Sequence, residues 1–333
     1  MITHDTVASG ACELQTEGLT ISRYLERWLE TAIRGNVQPT TYGIYRGHIN
    51  KHIVPVIGEL LLSELRKEQL QRFAADMLTG GLLSGGSVRA IMKMLRAALE
   101  EAVSWGYIGR NPCAGLKLPK EERSEASAFT RNEQERLEAA IANSDDDRDI
   151  GVLLMLYTGL RLGEAVGLKW EYIDFDKKQL RIVSCIKRIP NLDKTYSKTI
   201  IKEVRPKTTN SKRAVFIPDF LFALLAEKRG KSNSAYVLSM PDGRFIEPRT
   251  MQFIYKRLLE KAGVPYRKLH STRHSYAVRA LEEGISVKTV SENLGHATAA
   301  VTLTFYAHSL EEHKLDAAAR MNGLYINKNR PVF

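Results

Sequence analysis

Four short segments hold residues whose types and spacing could handle a phosphate. The first is Thr158-Gly159-Leu160-Arg161-Leu162-Gly163-Glu164, where a glycine ends one helical stretch and an arginine opens the next. Residues around a helix start present free N–H groups, which suits an anion. The second, Pro206-Lys207-Thr208 followed by Ser211-x-Arg213, sets a lysine inside a strongly basic stretch. The third is Leu269-His270-Ser271-Thr272-Arg273-His274. Its i, i+3 spacing puts His270 and Arg273 on one helix face, where one can exchange a proton while the other holds an anion. The fourth is Leu294-Gly295-His296, with Tyr306 ten residues on in Leu303-Thr304-Phe305-Tyr306-Ala307-His308. Taken singly, each has an ordinary reading: a surface arginine at a helix corner, a solvated lysine, a chance H-x-x-R pair, a tyrosine packed on an amphipathic helix.

The elements that must position these groups divide the chain in two. Residues 1–18 show no periodicity and read as a flexible tail. Ile21, Leu25, Trp28, Leu29 and Ala32 then recur at helical spacing. A second helix is expected after Pro39, running to about His52 and broken by Val54-Pro55 and Gly58. A third is expected from Ser63 as N-cap to near Leu78. Gly80-Gly81 and Gly85-Gly86 bracket a loop, and a fourth helix runs from about Ser87 to Trp105, capped by Gly106. Residues 19–118 thus form a small all-α domain, and the charged, aperiodic stretch 119–127 reads as a linker. The second domain, 128–320, opens with the capping box Thr130-x-x-Glu133, followed by a helix to about Ala142. An apolar helix is expected from about Asp147 to Tyr157, ended by Gly159. Strands are expected at Leu180–Cys185 and Ala214–Ile217, with a basic ribbon between them. Helices resume at Phe220, interrupted by a short extended piece from Tyr236 to Ser239, and residues 321–333 form a C-terminal tail.

Composition narrows the class. The chain has 333 residues, 44% hydrophobic and 26% charged, which fits a folded chain of about two domains rather than a disordered or fibrous one. No apolar run is long enough to span a membrane, and Met1–Gly10 lacks the pattern of a secretory signal. Cys12, Cys113 and Cys185 lie far apart, which fits a reducing cytosol and argues against a disulfide framework or zinc finger. Lys+Arg is 49 against 38 Asp+Glu, a net +11 that favours a polyanion partner. The charge is concentrated: residues 177–213 carry twelve Lys or Arg against Asp193 and Glu203, and residues 19–120 carry fourteen against eight acids. Two separate basic blocks suit a clamp on nucleic acid.

In this order, the motifs resemble the signature of the tyrosine recombinases, the phage-integrase family. Arg161, Lys207, His270, Arg273, His296 and Tyr306 match its arginine, lysine, His-x-x-Arg, histidine and tyrosine with no position missing. Trp28-Leu29, Thr40-x-x-x-x-Tyr45-Arg46, His52-Ile53-x-Pro55-x-x-Gly58 and Ala102-x-x-Trp105 through Asn111-Pro112 resemble its core-binding domain. The Pro-Lys-Thr-x-x-Ser-x-Arg pattern and the ten-residue step to Tyr306 are most similar to integrases of phages and conjugative transposons. The fold implied is mainly α with a small antiparallel β-sheet. A helical, SAM-like core-binding domain and a mixed α/β catalytic domain would form a C-shaped clamp on DNA. Many relatives carry a further arm-binding domain; about eighteen residues precede the first helix here, so either that domain is absent or the sequence is a shortened form, and arm-site binding is not among the expectations.

The resemblance implies a site-specific DNA recombinase that integrates or excises a mobile element through a 3′-phosphotyrosyl intermediate. Tyr306 would be the nucleophile and His270 its candidate base. Arg161, Arg273 and His296 would hold the phosphate oxygens, Lys207 would protonate the leaving 5′-oxygen, and Glu164 would brace Arg161. With two arginines and a lysine supplying charge, neither a metal nor ATP is required. The implied partners are double-stranded DNA at recombination core sites, a homotetramer on two duplexes, and an accessory DNA-bending or excision factor, all in the bacterial cytosol. The segment Leu310–Phe333 either packs on its own domain or docks on a neighbouring subunit. A relaxing type IB topoisomerase and a non-catalytic DNA-binding regulator are the alternatives.

Overall fold

The computed structural model describes residues 18–81, 83–119, 128–191, 199–204, 213–296, 298–303 and 321. They group into two units. The first is built from the N-terminal residues to Ser124 together with Ile189–Ile200, and the second from Glu125–Arg188 and Ile201 onward. Lys207, Tyr306, the tail 1–17, most of the proposed linker and nearly all of the C-terminal segment lie outside the described residues.

The first unit is helical. α1 (Ile21–Trp28) is capped by Thr20, whose hydroxyl accepts from the Arg23 N–H, and it buries Ile21, Tyr24, Leu25 and Trp28. α2 (Pro39–His48) does not stop where Val54-Pro55 suggests. A π-helical turn, Ile49–Ile53, leads directly into α3 (Val54–Ile57), and the chain leaves the helix at Gly58. The wide turn falls immediately before Pro55, the residue that lacks a donor, so the helix absorbs the defect without breaking. Ser63 is not an N-cap: it lies in a 3₁₀ turn, Leu62–Glu64, and α4 starts later (Lys67–Thr79), with the Gln69 side chain accepting the Arg66 N–H. α5 (Gly85–Ser104) includes both glycines that the sequence pattern sets in a loop, because the Ser84 hydroxyl caps the helix ahead of them. Leu70, Phe73, Ile91, Leu95 and Leu99 close the core around Trp28.

The second unit begins with α6 (Arg131–Ala142), whose capping box has both bonds formed between Thr130 and Glu133. A 3₁₀ turn leads into α7 (Ile150–Thr158), which is apolar nearly all round and buried accordingly, and the short α8 (Leu162–Val166) follows. β1 (Ile173–Asp174), β2 (Gln179–Ile182) and β5 (Arg213–Phe216) make an antiparallel sheet in the order β1-β2-β5, with Leu180 opposite Val215 and Ile182 opposite Arg213. The strand expected from Leu180 to Cys185 is broken at Val183-Ser184, and Cys185 starts β3 (Cys185–Pro190). β3 pairs with β4 (Thr199–Val204) as the expected ribbon. α9 (Asp219–Lys231), α10 (Pro248–Lys261), α11 (Ser271–Glu282), α12 (Val287–Leu294) and α13 (Ala299–Leu303) complete the described part. The expected extended piece near Tyr236 is a pair of single bridges, Lys169 to Tyr236 and Ser239 to Phe245. α7 packs along α11, which sets the first and third motifs beside each other. Among the described residues no helix is long and apolar enough to cross a membrane, and Cys113 and Cys185 are buried free thiols.

Candidate active site

Three of the four chemical segments, and Arg213 from the remaining one, meet at the C-terminal end of α12. That helix stops because Gly295 turns left-handed at φ +63, which leaves its last carbonyls without intrahelical donors. Three consecutive carbonyls are taken by three arginines. Asn293 O accepts from Arg213 Nε, Leu294 O from Arg273 Nη2 at 2.5 Å, and Gly295 O from Arg161 Nη2 in a long contact of 3.5 Å. A helix C-terminus carries partial negative charge, so it suits cations.

Arg273 is 3% exposed, and its Nη1 also donates to Gly159 O at 2.6 Å, bridging the ends of α7 and α12. Gly159 sits at φ +64, and a Cβ there would lie 2.6 Å from Tyr276 Cδ1 and 2.7 Å from Leu294 Cδ2. Only glycine fits both the turn and the close approach. Gly163 has a second reason: a Cβ would lie 2.6 Å from Ile186 O, so its absence lets α8 lie against β3.

Arg161 occupies the N-cap of α8, but its own backbone N–H is not on offer to an anion. Its N–H is consumed by Glu164 Oε2 at 2.9 Å, and its Nη1 donates to Glu164 Oε1 at 3.0 Å. Anion-binding capacity at Arg161 therefore rests on its half-open guanidinium, whose side chain is 40% exposed. Glu164 is buried and also receives both terminal nitrogens of Arg213, at 2.8 and 3.2 Å. Burial alone would push this carboxyl up; Arg213, and after it Arg161, reverse the effect and hold it below the usual carboxylate range.

His270 stands at the start of α11 and is open to solvent on one side, with the His274 ring edge-on to it at 4.8 Å. Partial desolvation, then Arg273 and Arg161, lower its pKa, so the imidazole is neutral at pH 7. His296 is half-buried, with Nδ1 2.9 Å from the buried Thr302 hydroxyl. Burial first, then Arg273, Arg161 and Arg213, push it down to about 4. Burial and the Arg161 and Arg213 charges push Arg273 down to about 9. The structure thus brings Arg161, Glu164, His270, Arg273 and His296 together. Among the described residues no group of His, Cys, Asp or Glu is arranged to hold a metal ion.

Sequence reasoning misses four contributors. Arg213 is visible only as the last residue of the Pro-Lys-Thr-x-x-Ser-x-Arg pattern. His274 could be suspected from its i+4 spacing to His270. Thr302 and the α12 carbonyls leave no mark in a sequence, since one is a lone hydroxyl and the others belong to the backbone.

Comparison with known proteins gives the chain a class. A family profile described as the phage integrase family matches residues 127–313, and one described as the phage integrase N-terminal SAM-like domain matches residues 20–78. A protein of Caldanaerobacter subterraneus subsp. tengcongensis named tyrosine recombinase XerC-like is 33% identical over 333 aligned positions, covering 93% of this chain and 84% of its own. Two solved structures share the fold. The Tn1549 transposon integrase in complex with a circular intermediate DNA has a TM-score of 0.77 at 18% identity, covering 92% of this chain and 99% of that one. A lambda integrase tetramer bound to a Holliday junction has a TM-score of 0.66 at 17% identity, covering 89% and 82%. The chain belongs to the phage integrase family. It is a tyrosine recombinase, an enzyme of site-specific recombination that cleaves and rejoins DNA.

Proposed function

We propose that the cluster at the end of α12 is the cleavage centre of an integrase that inserts and excises a mobile element, and that Tyr306 and Lys207 complete it. The observation that carries this reading is the convergence of two guanidinium groups and two neutral imidazoles, from separate segments, on one helix end. Tyr306 Oη attacks the scissile phosphorus and the 5′-oxygen leaves, giving a 3′-phosphotyrosyl link and a 5′-hydroxyl. The phenol proton passes to His270, whose low pKa keeps it able to accept one. Lys207 gives a proton to the departing oxygen. Arg161 and Arg273 hold the non-bridging oxygens of the pentacoordinate transition state and His296 supplies a further donor. A guanidinium has five donors, and Arg273 spends two on carbonyls. Glu164 braces Arg161. The covalent link conserves the phosphodiester's energy, so neither ATP nor a metal enters the scheme.

The basic blocks in both units engage double-stranded DNA at recombination core sites, with affinity that falls as salt rises. Each chain offers one Tyr306 and recombination needs four cleavages, which supports a homotetramer on two duplexes, with an accessory DNA-bending or excision factor setting direction. The setting is the bacterial cytosol, on DNA. The test is to trap wild-type protein on nicked attachment-site duplexes and map the linked nucleotide. Tyr306→Phe should keep DNA binding and lose the adduct, and strand exchange between two sites separates a recombinase from a relaxing topoisomerase. Tight binding by wild type with no adduct would return the chain to the class of regulators.

A further inference from the structure

Arg213 is not one of the six residues of the family signature, yet it is the most deeply engaged cation beside Glu164. Its side chain is 6% exposed, as is that of Glu164. Its fork takes both carboxylate oxygens, Nη2 to Oε2 at 2.8 Å and Nη1 to Oε1 at 3.2 Å, while Nε donates to Asn293 O. Arg161, by contrast, gives Glu164 its backbone N–H and a single guanidinium nitrogen, Nη1. One arginine is therefore locked bidentately on the carboxylate, and the other touches it one-handed.

We propose that Arg213 is a positioning residue which, as the buried counter-ion of Glu164, keeps the guanidinium of Arg161 and its charge available to the scissile phosphate. The inference rests on the reading of Arg161 as a phosphate ligand. A buried carboxylate must be paired. With Arg213 in place, the trio Arg161, Arg213 and Glu164 carries one net positive charge. Without it, Glu164 has Arg161 as its one remaining ion-pair partner among the described residues. The favoured geometry for that pair is the bidentate fork that Arg213 now occupies. Arg161 would turn inward to satisfy Glu164, and the trio would present no net charge to an anion.

A purely architectural role predicts something different: loss of activity in step with loss of fold. The experiment compares full-length wild type, Arg213→Gln, Arg213→Lys and the double variant Arg213→Gln/Glu164→Gln. Covalent adduct formation is followed on a nicked attachment-site duplex selected with wild type, beside mobility-shift binding and thermal melting. Arg213→Gln should slow adduct formation about 10²-fold at saturating DNA, the loss expected when a transition-state donor is withdrawn, with little change in Kd. Arg213→Lys keeps the charge without the fork and should stay within about tenfold of wild type. The double variant should be clearly faster than Arg213→Gln, because removing both members of a buried pair is milder than removing one, but slower than wild type, because the amide of Glu164→Gln keeps one oxygen where Arg161 now uses two. Should Arg213→Gln fail to fold, the double variant decides alone: a rate within about tenfold of wild type supports the counter-ion role and a loss of about 10² overturns it. A wild-type rate in Arg213→Gln, or equal losses in the folded single and double variants, would also overturn it. An inactive wild type on the same DNA would instead strike the cleavage-centre reading beneath.

Discussion

Replacing Gly159 by alanine couples the fold to the chemistry in one methyl group. The residue sits at φ +64, where an L side chain is strained by about 1 kcal/mol. The added Cβ would lie 2.6 Å from Tyr276 Cδ1, 2.7 Å from Leu294 Cδ2 and 3.0 Å from Tyr276 Cε1, inside a packed core. Overpacking of this kind costs about 1–3 kcal/mol. The sum, about 2–4 kcal/mol, is a large part of the roughly 5–15 kcal/mol that holds a domain together. With a urea m-value of about 2 kcal/mol/M, the unfolding midpoint should fall by about 1–2 M. Trp170, in the catalytic core, is the fluorescence reporter for this unit. The strain has a second address: Leu294 and Gly159 are the two carbonyl partners of Arg273, so pushing them apart moves that guanidinium. A misplacement near 1 Å is worth about 10² in rate, so adduct formation on nicked DNA should fall by that order even in protein kept fully folded. Gly284→Ala is the control: φ is +79 but nothing lies within 4 Å of the added carbon, so only the strain remains and the rate should hold. A Gly159→Ala protein with an unchanged midpoint would refute the packing argument. One with a lowered midpoint and a wild-type rate would refute the link through Arg273.

Two further outcomes follow from the imidazoles. His274 and His296 are both pushed down to about 4, chiefly by burial, so above about pH 6.5 they are neutral in folded and unfolded chains alike. As pH falls from there the unfolded chain takes up protons that the folded one refuses. Stability should therefore drain between about pH 6.5 and 4, and His296→Gln should flatten that slope in urea midpoints measured against pH; an untouched slope removes His296 from the account. Thr302→Val keeps the shape of a fully buried side chain but deletes the hydroxyl beside His296 Nδ1. Losing that bond, worth about 1–1.5 kcal/mol, should slow adduct formation about tenfold without weakening DNA binding. An unaltered rate would show that Thr302 does not hold the ring.

Much of this molecule can be read from residue types, and what escapes has a common cause. The helical stripe from Ile21 to Leu29 and the Thr130–Glu133 capping box are local patterns, and both appear where spacing puts them. Pro55 and the pair Gly85-Gly86 mislead because a breaker residue acts through its neighbours: a π turn absorbs the proline, and Ser84 caps ahead of the glycines. Spacing sets Arg161 at a helix start with free N–H groups on offer; it does sit there, but Glu164 takes the N–H of Arg161 itself. That carboxylate is only three residues away, so the capping box is legible, and the phosphate argument obscures it. The role of Leu294-Gly295-His296 as a receptor for three arginines is not legible at all. It depends on carbonyls, which every residue has, and on three side chains arriving from 21, 80 and 134 positions away.

That receptor explains how so much positive charge is held in one place without being spent. Three guanidinium groups crowd together, and the cost is visible in Arg273, whose pKa is pulled down by burial and by the other two. Carboxylates could relieve the crowding, but each would cancel a full charge that a phosphate needs. Glu164 is the single carboxylate among the hydrogen-bond partners of these arginines in the described residues. The remaining stabilisation comes from the end of α12, whose carbonyls amount to about half a negative charge. Partial charges of that kind orient the forks and offset their repulsion while leaving the cluster net positive. The lowered pKa values of His270 and His296 fit the same pattern, since further cations there would raise the repulsion. A centre built this way has its field in place before an anion arrives, which is the condition under which fixed dipoles lower a barrier most.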